Sequence, residues 1–418
     1  MSRQKTPGDE ALSVHYAEHV AILKERHDRA LERAGAGHAV IFSGAPLPVF
    51  LDDYDYPFKA NPHFVSWLPL SHHPRCYIIY TPGHRPVLVY YQEKDYWHLP
   101  PEDPEGFWTS QFDIRIVHAA DEVGRHLPDD LDKCILIGDI RDETQALGIE
   151  RINPGTALNI LHYERAVKTG YELDCLRAAS RRGVLGHRAA EQAFRSGKTE
   201  FDIHLAYCRA VGHADNDLPY GNIIALNENG AVLHYQHQSR EKPELFRSFL
   251  IDAGARVNGY ASDITRTYSK EDDEFAALIE QFDKLQQELV AEVRAGVDFA
   301  DLHISCHLKI AQLLDHSGLA TGDPDTLIYG MYNSKTAGTW QSPEYLDDAK
   351  VDELLEEGRT NTDEAARAKA YHALNDRLME IAPSIYGYDR QSVFAASNRV
   401  KVPALSDPSK AFGLDGMG

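Results

Sequence analysis

The first part of the chain shows one amphipathic helical pattern followed by short apolar runs. Apolar residues recur at helical spacing between residues 11 and 33, which predicts a helix with one apolar face. Five short apolar runs then follow, at residues 39–44, 76–80, 86–91, 114–119 and 133–139. Runs of this length are typical of buried strands. A helix followed by such strands predicts an α/β domain over residues 1–158.

The second part of the chain, residues 159–325, begins with longer helical patterns. We expect helices over residues 171–195 and 200–211, with Thr199 as the N-cap of the second. Strands of an antiparallel sheet are predicted at residues 222–227, 231–236 and 247–254. Two further helices are predicted at residues 273–294 and 301–314. This order of elements predicts an α+β domain.

A tight-turn signal, Asn258-Gly259, separates two strand-like runs that each carry an aspartate. A hairpin that folds back at Val257 and Asn258 would place Asp252 and Asp263 roughly across from each other on the same face. Two carboxylates about 4 Å apart repel by roughly 4 kcal/mol at an effective dielectric constant of about 20. A proton or a cation between them relieves that repulsion. The pair therefore suggests a divalent metal site, and two solvated aspartates beside a turn are the alternative.

Composition narrows the class of protein. The net charge of −21 argues against nucleic-acid binding, since attraction to phosphate needs a basic surface. No apolar run approaches the roughly 18–20 residues of a membrane span, and the first residues lack the apolar core of a secretory signal. Five cysteines are scattered without Cys-x-x-Cys spacing, at positions 76, 134, 175, 208 and 306. We expect reduced cysteines in a cytoplasmic protein that does not contact membranes.

Longer motifs accompany the hairpin. They read VFLDDYDYPFKANPHF at residues 49–64, LHYERAVKTGYELDCLRAAS at 161–180, GHRAAEQAFRSGKTEFDIHLAY at 186–207 and PYGNIIALNENGAVLHY at 219–235. With these motifs, residues 1–320 resemble the proline-specific pita-bread metallopeptidases. Within that family the chain resembles in particular the bacterial Xaa-Pro dipeptidases, or prolidases, and their relatives that hydrolyse organophosphorus acid anhydrides. The resemblance implies that residues 159–325 are the first half of a pita-bread domain, which is then incomplete.

The resemblance also implies a dinuclear metal site, usually of Mn²⁺, in which Asp252 and Asp263 are two of five ligands. The other three ligands of the family lie in Pro-His-Gly-x-Gly-His, Thr-x-Glu-Pro-Gly and Gly-x-Arg-x-Glu-Asp segments, and none of these occurs after Asp263. We therefore expect weak or partial Mn²⁺ binding. Residues of suitable type occur nearer the end of the chain, but their helical context gives no reason for them to reach the hairpin: Glu353, Glu356, His372 and Glu380.

A substrate pocket for a dipeptide with C-terminal proline follows from the same resemblance. His234, beside Leu233, matches the pocket histidine, and Tyr220 matches a tyrosine that lines the small pocket. Asp53 lies in a segment that reaches the neighbouring subunit's site in dimeric relatives, where a carboxylate would attract the α-ammonium of the dipeptide. A homodimer through the N-terminal domain is therefore expected. The alternatives are a histidine hydrogen-bonded within a strand and a solvated turn at Asp53.

The sequence changes character from about Leu327 onward. Residues 326–418 resemble the C-terminal end of periplasmic peptide-binding proteins of ABC importers, including an Ala-Pro segment at residues 381–386. We interpret them as an unrelated, mostly helical tail, joined within residues 317–333. We therefore interpret the chain as a chimera that carries a truncated catalytic domain. His303 and His307 also have metal-ligand spacing, but the residues between them favour ordinary helix positions.

The function predicted from these features is that of a metal-dependent Xaa-Pro dipeptidase by ancestry. Such an enzyme hydrolyses the imide bond with a metal-activated water. Activity is expected to be impaired or absent, because three of the five family ligands are missing. The main alternative is a catalytically dead scaffold or a dimerisation partner of an intact prolidase. Peptide binding, argued only from the tail, is a third hypothesis.

Overall fold

The computed structural model describes residues 12–94, 96, 99–317, 325–336, 346–361 and 363–381. The chain divides into two compact units, residues 1–271 and 272–418. Among the described residues, no helix is both long and apolar enough to cross a membrane.

The first unit begins with a helix and a five-stranded mixed sheet. Its elements are α1 (Tyr16–Ala34), β1 (His38–Phe42), α2 (Pro62–Trp67), β2 (Tyr77–Tyr80), β3 (Val87–Tyr91), β4 (Asp113–Val117), β5 (Cys134–Ile137), α3 (Asp142–Gln145) and α4 (Gly155–Glu164). The strand order is β4-β3-β2-β1-β5. The strands β1 and β2 are antiparallel, as are β2 and β3, whereas β5 joins β1 and β4 joins β3 in parallel.

The predicted helix and five predicted strands of this region are confirmed, with ends that differ by a few residues. Four of the strands, β1, β2, β3 and β5, are almost wholly buried, because they form the centre of one apolar cluster that also contains the apolar face of α1. The edge strand β4 is only partly buried. Tyr16 fixes α1 against α2, since its hydroxyl donates a hydrogen bond to the carbonyl oxygen of Trp67. Both side chains are almost completely buried.

Two long helices lead from this sheet to the candidate site: α5 (Gly170–Arg195) and α6 (Glu200–Val211). The backbone N–H of Asp202 donates to the Thr199 hydroxyl over 3.1 Å, so the predicted N-cap is confirmed. The helices approach closely at Gly186, where an added Cβ would lie 2.5 Å from the Tyr207 ring. Glycine is therefore required for this contact.

A three-stranded antiparallel sheet follows, formed by β6 (Ile223–Leu226), β7 (Ser248–Ala253) and β10 (Ile264–Ser269) in the order β10-β7-β6. The short pair β8 (Arg256–Val257) and β9 (Tyr260–Ala261) extends the hairpin. Asn258 and Gly259 form the turn with φ angles of 51° and 87°. Two successive positive φ angles are those of a type I′ hairpin turn, which confirms the predicted turn.

The strand predicted at residues 231–236 is wrong, since a 3₁₀ turn at Asn227–Ala231 and an irregular segment occupy this region. The physical reason is the buried carboxylate of Glu200. It accepts hydrogen bonds from the backbone N–H groups of Leu226 and Ser239 and from the side chains of Asn229 and Tyr235. These bonds draw the segment inward around Glu200 in place of a strand ladder.

In the described residues of the second unit, every regular element is a helix. It contains α7 (Glu274–Glu292), α8 (Phe299–His316), α9 (Asp325–Tyr332), α10 (Ala349–Thr360) and α11 (Glu364–Ile381). Its buried apolar cluster consists of Val351, Leu354, Leu355 and Leu374. The mostly helical character predicted for the tail is therefore confirmed there, whereas residues 382–386 of the predicted Ala-Pro segment lie outside the described residues.

Candidate metal and substrate site

Asp252 and Asp263 lie on one face of the hairpin but are not directly opposite. Asp252 pairs with Thr265, and Asp263 immediately precedes the pair formed by Ile264 and Ala253. The two aspartates are therefore diagonal neighbours, a relation that leaves about 7–8 Å between α-carbons. The prediction of a shared face is confirmed, and the register differs from the expected one by two residues because the turn forms at Asn258-Gly259.

The Tyr220 hydroxyl joins the two carboxylates. It lies 2.8 Å from Oδ1 of Asp252 and 2.8 Å from Oδ1 of Asp263. One phenol carries one hydrogen, so the two carboxylates share a single donor. Burial raises the pKa of Tyr220 well above its usual range, and its hydrogen bonds to the two carboxylates raise it further. We call Asp252 and Asp263 the hairpin pair, and the Tyr220 hydroxyl lies between their carboxylates.

The position of Tyr220 depends on its neighbours. The Lys59 ammonium donates to the carbonyl oxygens of Leu218 and Pro219, over 2.9 and 3.2 Å. Burial is the main cause that lowers the pKa of Lys59. An added Cβ at Gly254 would lie 2.1 Å from the Ser262 carbonyl oxygen and 3.0 Å from the Tyr220 ring. Glycine at this position therefore allows the ring to rest against the strand.

Two buried polar side chains of the helices, His187 and Tyr207, lie near enough to Asp252 for its charge to act on their pKa values. Nε2 of His187 lies 3.1 Å from the carbonyl oxygen of Ala253, and since a carbonyl only accepts, this nitrogen carries the proton. Burial lowers the pKa of His187, while the charge of Asp252 acts in the opposite direction. In the described part of the chain, Nδ1 of His187 and the buried hydroxyl of Tyr207 have no hydrogen-bond partner. Sequence reasoning did not single out either residue.

The donor set of the hairpin pair fits a hard divalent cation, because carboxylate oxygens are the ligands such ions prefer. Both carboxylates already turn toward one centre of positive charge, the Tyr220 hydroxyl hydrogen. Among the residues that the structure describes, no third histidine, cysteine or carboxylate joins them within ligand distance. The pair on its own is therefore an incomplete cage.

The other predicted pocket residues lie apart from these contacts. Leu233 and His234 are exposed, in the irregular segment that follows the 3₁₀ turn. Asp53 is exposed in a loop where its backbone N–H donates to the Asp52 carboxylate over 2.8 Å. Within the described residues, no hydrogen bond or ion pair links these three residues to Asp252 or Asp263. Their assignment to a substrate pocket stays a prediction.

The residues of the second unit that match metal ligands by type are engaged there or exposed. Glu353 pairs with Lys350 over 2.9 Å. Glu356 pairs with Lys335 over 2.9 Å and accepts a hydrogen bond from Tyr329. His372 is exposed, and the side chain of Glu380 lies outside the described residues.

Solved structures of similar architecture define the fold. Aminopeptidase P from E. coli with the inhibitor Pro-Leu matches with a TM-score of 0.57 and 21% identity, over 74% of this chain and 76% of that chain. The Zn-substituted E. coli aminopeptidase P in complex with product matches with a TM-score of 0.56 and 20% identity over the same shares. The fold is therefore an N-terminal α/β domain followed by a pita-bread domain, as predicted.

Sequence comparisons define the family. Residues 14–163 match the N-terminal domain of Xaa-Pro dipeptidase, and residues 174–377 match metallopeptidase family M24. An Xaa-Pro dipeptidase of Xanthomonas campestris pv. campestris (strain B100) is 47% identical over 320 residues, covering 76% of this chain and 72% of the relative. That of Stenotrophomonas maltophilia (strain K279a) is 46% identical over 315 residues, covering 75% and 70%.

The chain therefore belongs to metallopeptidase family M24, among its Xaa-Pro dipeptidase-like members. The family match extends to residue 377, past the predicted junction at residues 317–333. The resemblance of the tail to periplasmic binding proteins, the domain boundaries and the link to organophosphorus hydrolysis stay predictions.

Proposed function

We propose that this chain derives from Xaa-Pro dipeptidases and that Asp252 and Asp263 hold a divalent metal, Mn²⁺ in the first instance. The observation that carries the proposal is the convergence of both carboxylates on one hydroxyl, 2.8 Å from each. Two like charges held around one point of positive potential suit a cation, whereas two solvated aspartates would point apart.

The proposed substrate is a dipeptide with C-terminal proline, cleaved at the imide bond. When bound, a divalent metal supplies Lewis-acid polarisation of the carbonyl and an activated water. Asp252 and Asp263 hold the positive charge in place, and Tyr220 orients both carboxylates. His234 and Leu233 would contact the substrate, and Asp53 would attract its α-ammonium, across a homodimer interface formed by the N-terminal domain. Support for these three residues is the family resemblance of their motifs.

The hydrolytic rate is proposed to be low. The three sequence segments that carry the remaining ligands in the family do not occur after Asp263 in this sequence. Loss of a group that merely orients a ligand lowers metal affinity or activity by 10–100-fold. Loss of three ligands is therefore expected to lower activity at least ~10³-fold below that of a relative with all five.

The test is hydrolysis of an Ala-Pro dipeptide by the full chain, with and without Mn²⁺, beside an Asp263→Asn variant. A slow, Mn²⁺-dependent rate that disappears in Asp263→Asn supports the proposal. Turnover equal to that of the Xanthomonas relative would overturn the proposed impairment. A rate unaffected by Asp263→Asn would overturn the metal assignment.

A catalytically dead scaffold is the second candidate function, and the incomplete cage around the hairpin pair favours it. Folded protein with no Mn²⁺-dependent turnover, but with a stable mixed dimer when combined with an intact Xaa-Pro dipeptidase, would support this function. A monomer that forms no mixed dimer would exclude it.

A further inference from the structure

A second group of potential metal ligands lies at the C-terminal end of α6. It consists of His204, Cys208 and Asp215, which we call the helix cluster. Their ligand atoms all lie within 4.8 Å of one another. None of the three residues belongs to the hairpin pair.

The local sequence explains why these side chains meet. His204 and Cys208 are four residues apart on α6, so they share one face of the helix. Gly212 ends the helix with a φ of 66°, and its N–H and that of His213 bond to the carbonyl oxygens of Arg209 and Cys208. This left-handed cap reverses the chain. Asp215 is thereby returned to the side of the helix that carries His204.

We propose that the helix cluster binds one thiophilic divalent cation, with Zn²⁺ as the expected ion. The ligands would be Nε2 of His204, Sγ of Cys208, a carboxylate oxygen of Asp215 and a water. Imidazole, thiolate and carboxylate are the ligand types of protein zinc sites, and three protein ligands leave one open position.

The distances suit a tetrahedral ion. Sγ of Cys208 lies 3.6 Å from Nε2 of His204. Standard Zn–S and Zn–N bond lengths give about 3.6 Å for the same edge of a tetrahedron. Oδ1 of Asp215 lies 2.8 Å from Nε2, whereas the corresponding edge is about 3.3 Å. The Asp215 side chain is 77% exposed, so a small rotation opens this gap and also provides an entry path.

The second nitrogen of His204 is placed to support binding. Nδ1 lies 3.3 Å from the side-chain amides of both Asn222 and Gln238. Asn222 is fully buried, and its Oδ1 has no hydrogen-bond partner in the described part of the chain. Rotation of the Asn222 amide by 180° exchanges its oxygen and nitrogen, so that Oδ1 of Asn222 accepts a hydrogen bond from Nδ1–H of His204. The lone pair on Nε2 of His204 is then available for the metal. Metal-bound histidines usually have such a partner.

Charge balance also favours a divalent ion. A metal-bound cysteine is a thiolate, so its thiol proton must leave when the metal binds. Binding forms a metal–sulfur bond and releases that proton to solvent. The thiolate and the Asp215 carboxylate then neutralise both charges of the cation. The bound ion would tie the end of α6 to the turn that leads, through Leu218 and Pro219, to Tyr220.

The test uses Co²⁺ as a spectroscopic probe, added to the reduced full chain. The starting protein carries Asp252→Asn and Asp263→Asn, so that binding cannot come from the hairpin pair and the result is separate from the proposed function. We expect a thiolate-to-cobalt charge-transfer band that saturates at one equivalent and is displaced by Zn²⁺. Absence of the band would overturn the proposal.

Matched variants locate the site. Cys208→Ser should abolish the band, and Cys306→Ser should keep it. Cys306 is the appropriate control because it lies beside His303 and His307 on α8. A band lost in Cys306→Ser, or kept in Cys208→Ser, would overturn the proposal. If Cys208→Ser does not fold, a variant of the exposed Asp215 provides the test. Asp215→Asn is expected to weaken Co²⁺ binding at least ~10-fold, and unchanged affinity would contradict the site.

Discussion

The hairpin pair and the helix cluster are two arrangements of potential ligands within the same unit, and they differ in chemistry. The hairpin pair offers oxygen atoms alone, and its two like charges share a single hydrogen-bond donor. The helix cluster offers nitrogen, sulfur and oxygen, and its carboxylate already contacts a histidine. The first therefore suits hard cations and is unfavourable when empty, whereas the second suits borderline cations and is stable when empty.

The largest expected effect comes from Gly254→Ala, which disturbs the hairpin pair alone. The new Cβ would lie 2.1 Å from the Ser262 carbonyl oxygen, so the hairpin and Tyr220 must shift. We expect the free energy of unfolding to fall by about 3 kcal/mol. Urea denaturation measures this loss. Gly124→Ala is the matched control, since its Cβ meets no atom within 4 Å, and an equal loss in both variants would contradict the argument.

Acid is expected to unfold the first unit, which sets the pH range in which the two sites can be compared. Burial lowers the pKa of His27 to about 4 and that of His63 to about 3. In the unfolded chain these histidines bind protons near pH 6.5, whereas in the folded chain they stay neutral to a lower pH. Their contribution to the free energy of unfolding is therefore fully present above pH 6.5 and is lost as the pH falls toward 4. The loss should be of the order of a few kcal/mol.

Denaturation at pH 7.5 and pH 5 measures this dependence. His84 is exposed and serves as a control, because His84→Ala should leave the pH profile unchanged. His63→Phe should make the pH profile shallower, because His27 alone then contributes. A profile that is flat in the unmodified protein would show that the buried histidines do not control acid stability.

Tyr220→Phe sharpens the comparison by removing the shared donor. Without metal, both carboxylates of the hairpin pair lose their hydrogen bond, and the free energy of unfolding should fall by about 1–2 kcal/mol. With saturating Mn²⁺ the loss should be smaller, because the cation then balances the two charges. Denaturation with EDTA and with Mn²⁺ separates the cases. An equal loss in both would assign Tyr220 a purely packing role.

The smallest expected effects have opposite signs in the two sites. Asp263→Asn removes a like charge, so it should raise the melting temperature of the metal-free protein slightly. The corresponding gain in the free energy of unfolding should be less than about 1 kcal/mol. Asp215→Asn replaces the charged acceptor beside Nε2 of His204 with a neutral one, so it should lower the melting temperature by a similarly small amount. Calorimetry of the two metal-free variants, side by side, provides the check. Equal signs would contradict the proposed difference.

The sequence predicted the elements that depend on local pattern. The five strands of the first sheet, the Thr199 cap and the Asn258-Gly259 turn each follow from residues close together in the chain. The prediction of a strand at residues 231–236 failed because the conformation of this segment depends on Glu200, which lies 35 residues before Tyr235 in the sequence. A buried carboxylate with four donors outweighs a short apolar pattern.

The candidate site was predicted in part for the same reason. Hairpin geometry places Asp252 and Asp263 on one face, but the bridging role of Tyr220 depends on a loop held by Lys59 and by the space at Gly254. The helix cluster was missed although His204 and Cys208 have ligand spacing, since Asp215 joins them only after the cap at Gly212 reverses the chain. By contrast, the similarly spaced His303 and His307 are two identical ligand residues on one helix, a pattern that the sequence alone displays.

Mn²⁺ titration, followed by the electron paramagnetic resonance signal of free Mn²⁺, tests the central claim most directly. The unmodified chain, Asp263→Asn and Cys208→Ser would be titrated in parallel at pH 7.5. We expect Asp263→Asn to weaken Mn²⁺ binding at least ~10-fold and Cys208→Ser to leave it unchanged, since a hard cation prefers the carboxylates. Mn²⁺ binding that survives Asp263→Asn would show that the hairpin pair does not hold the metal.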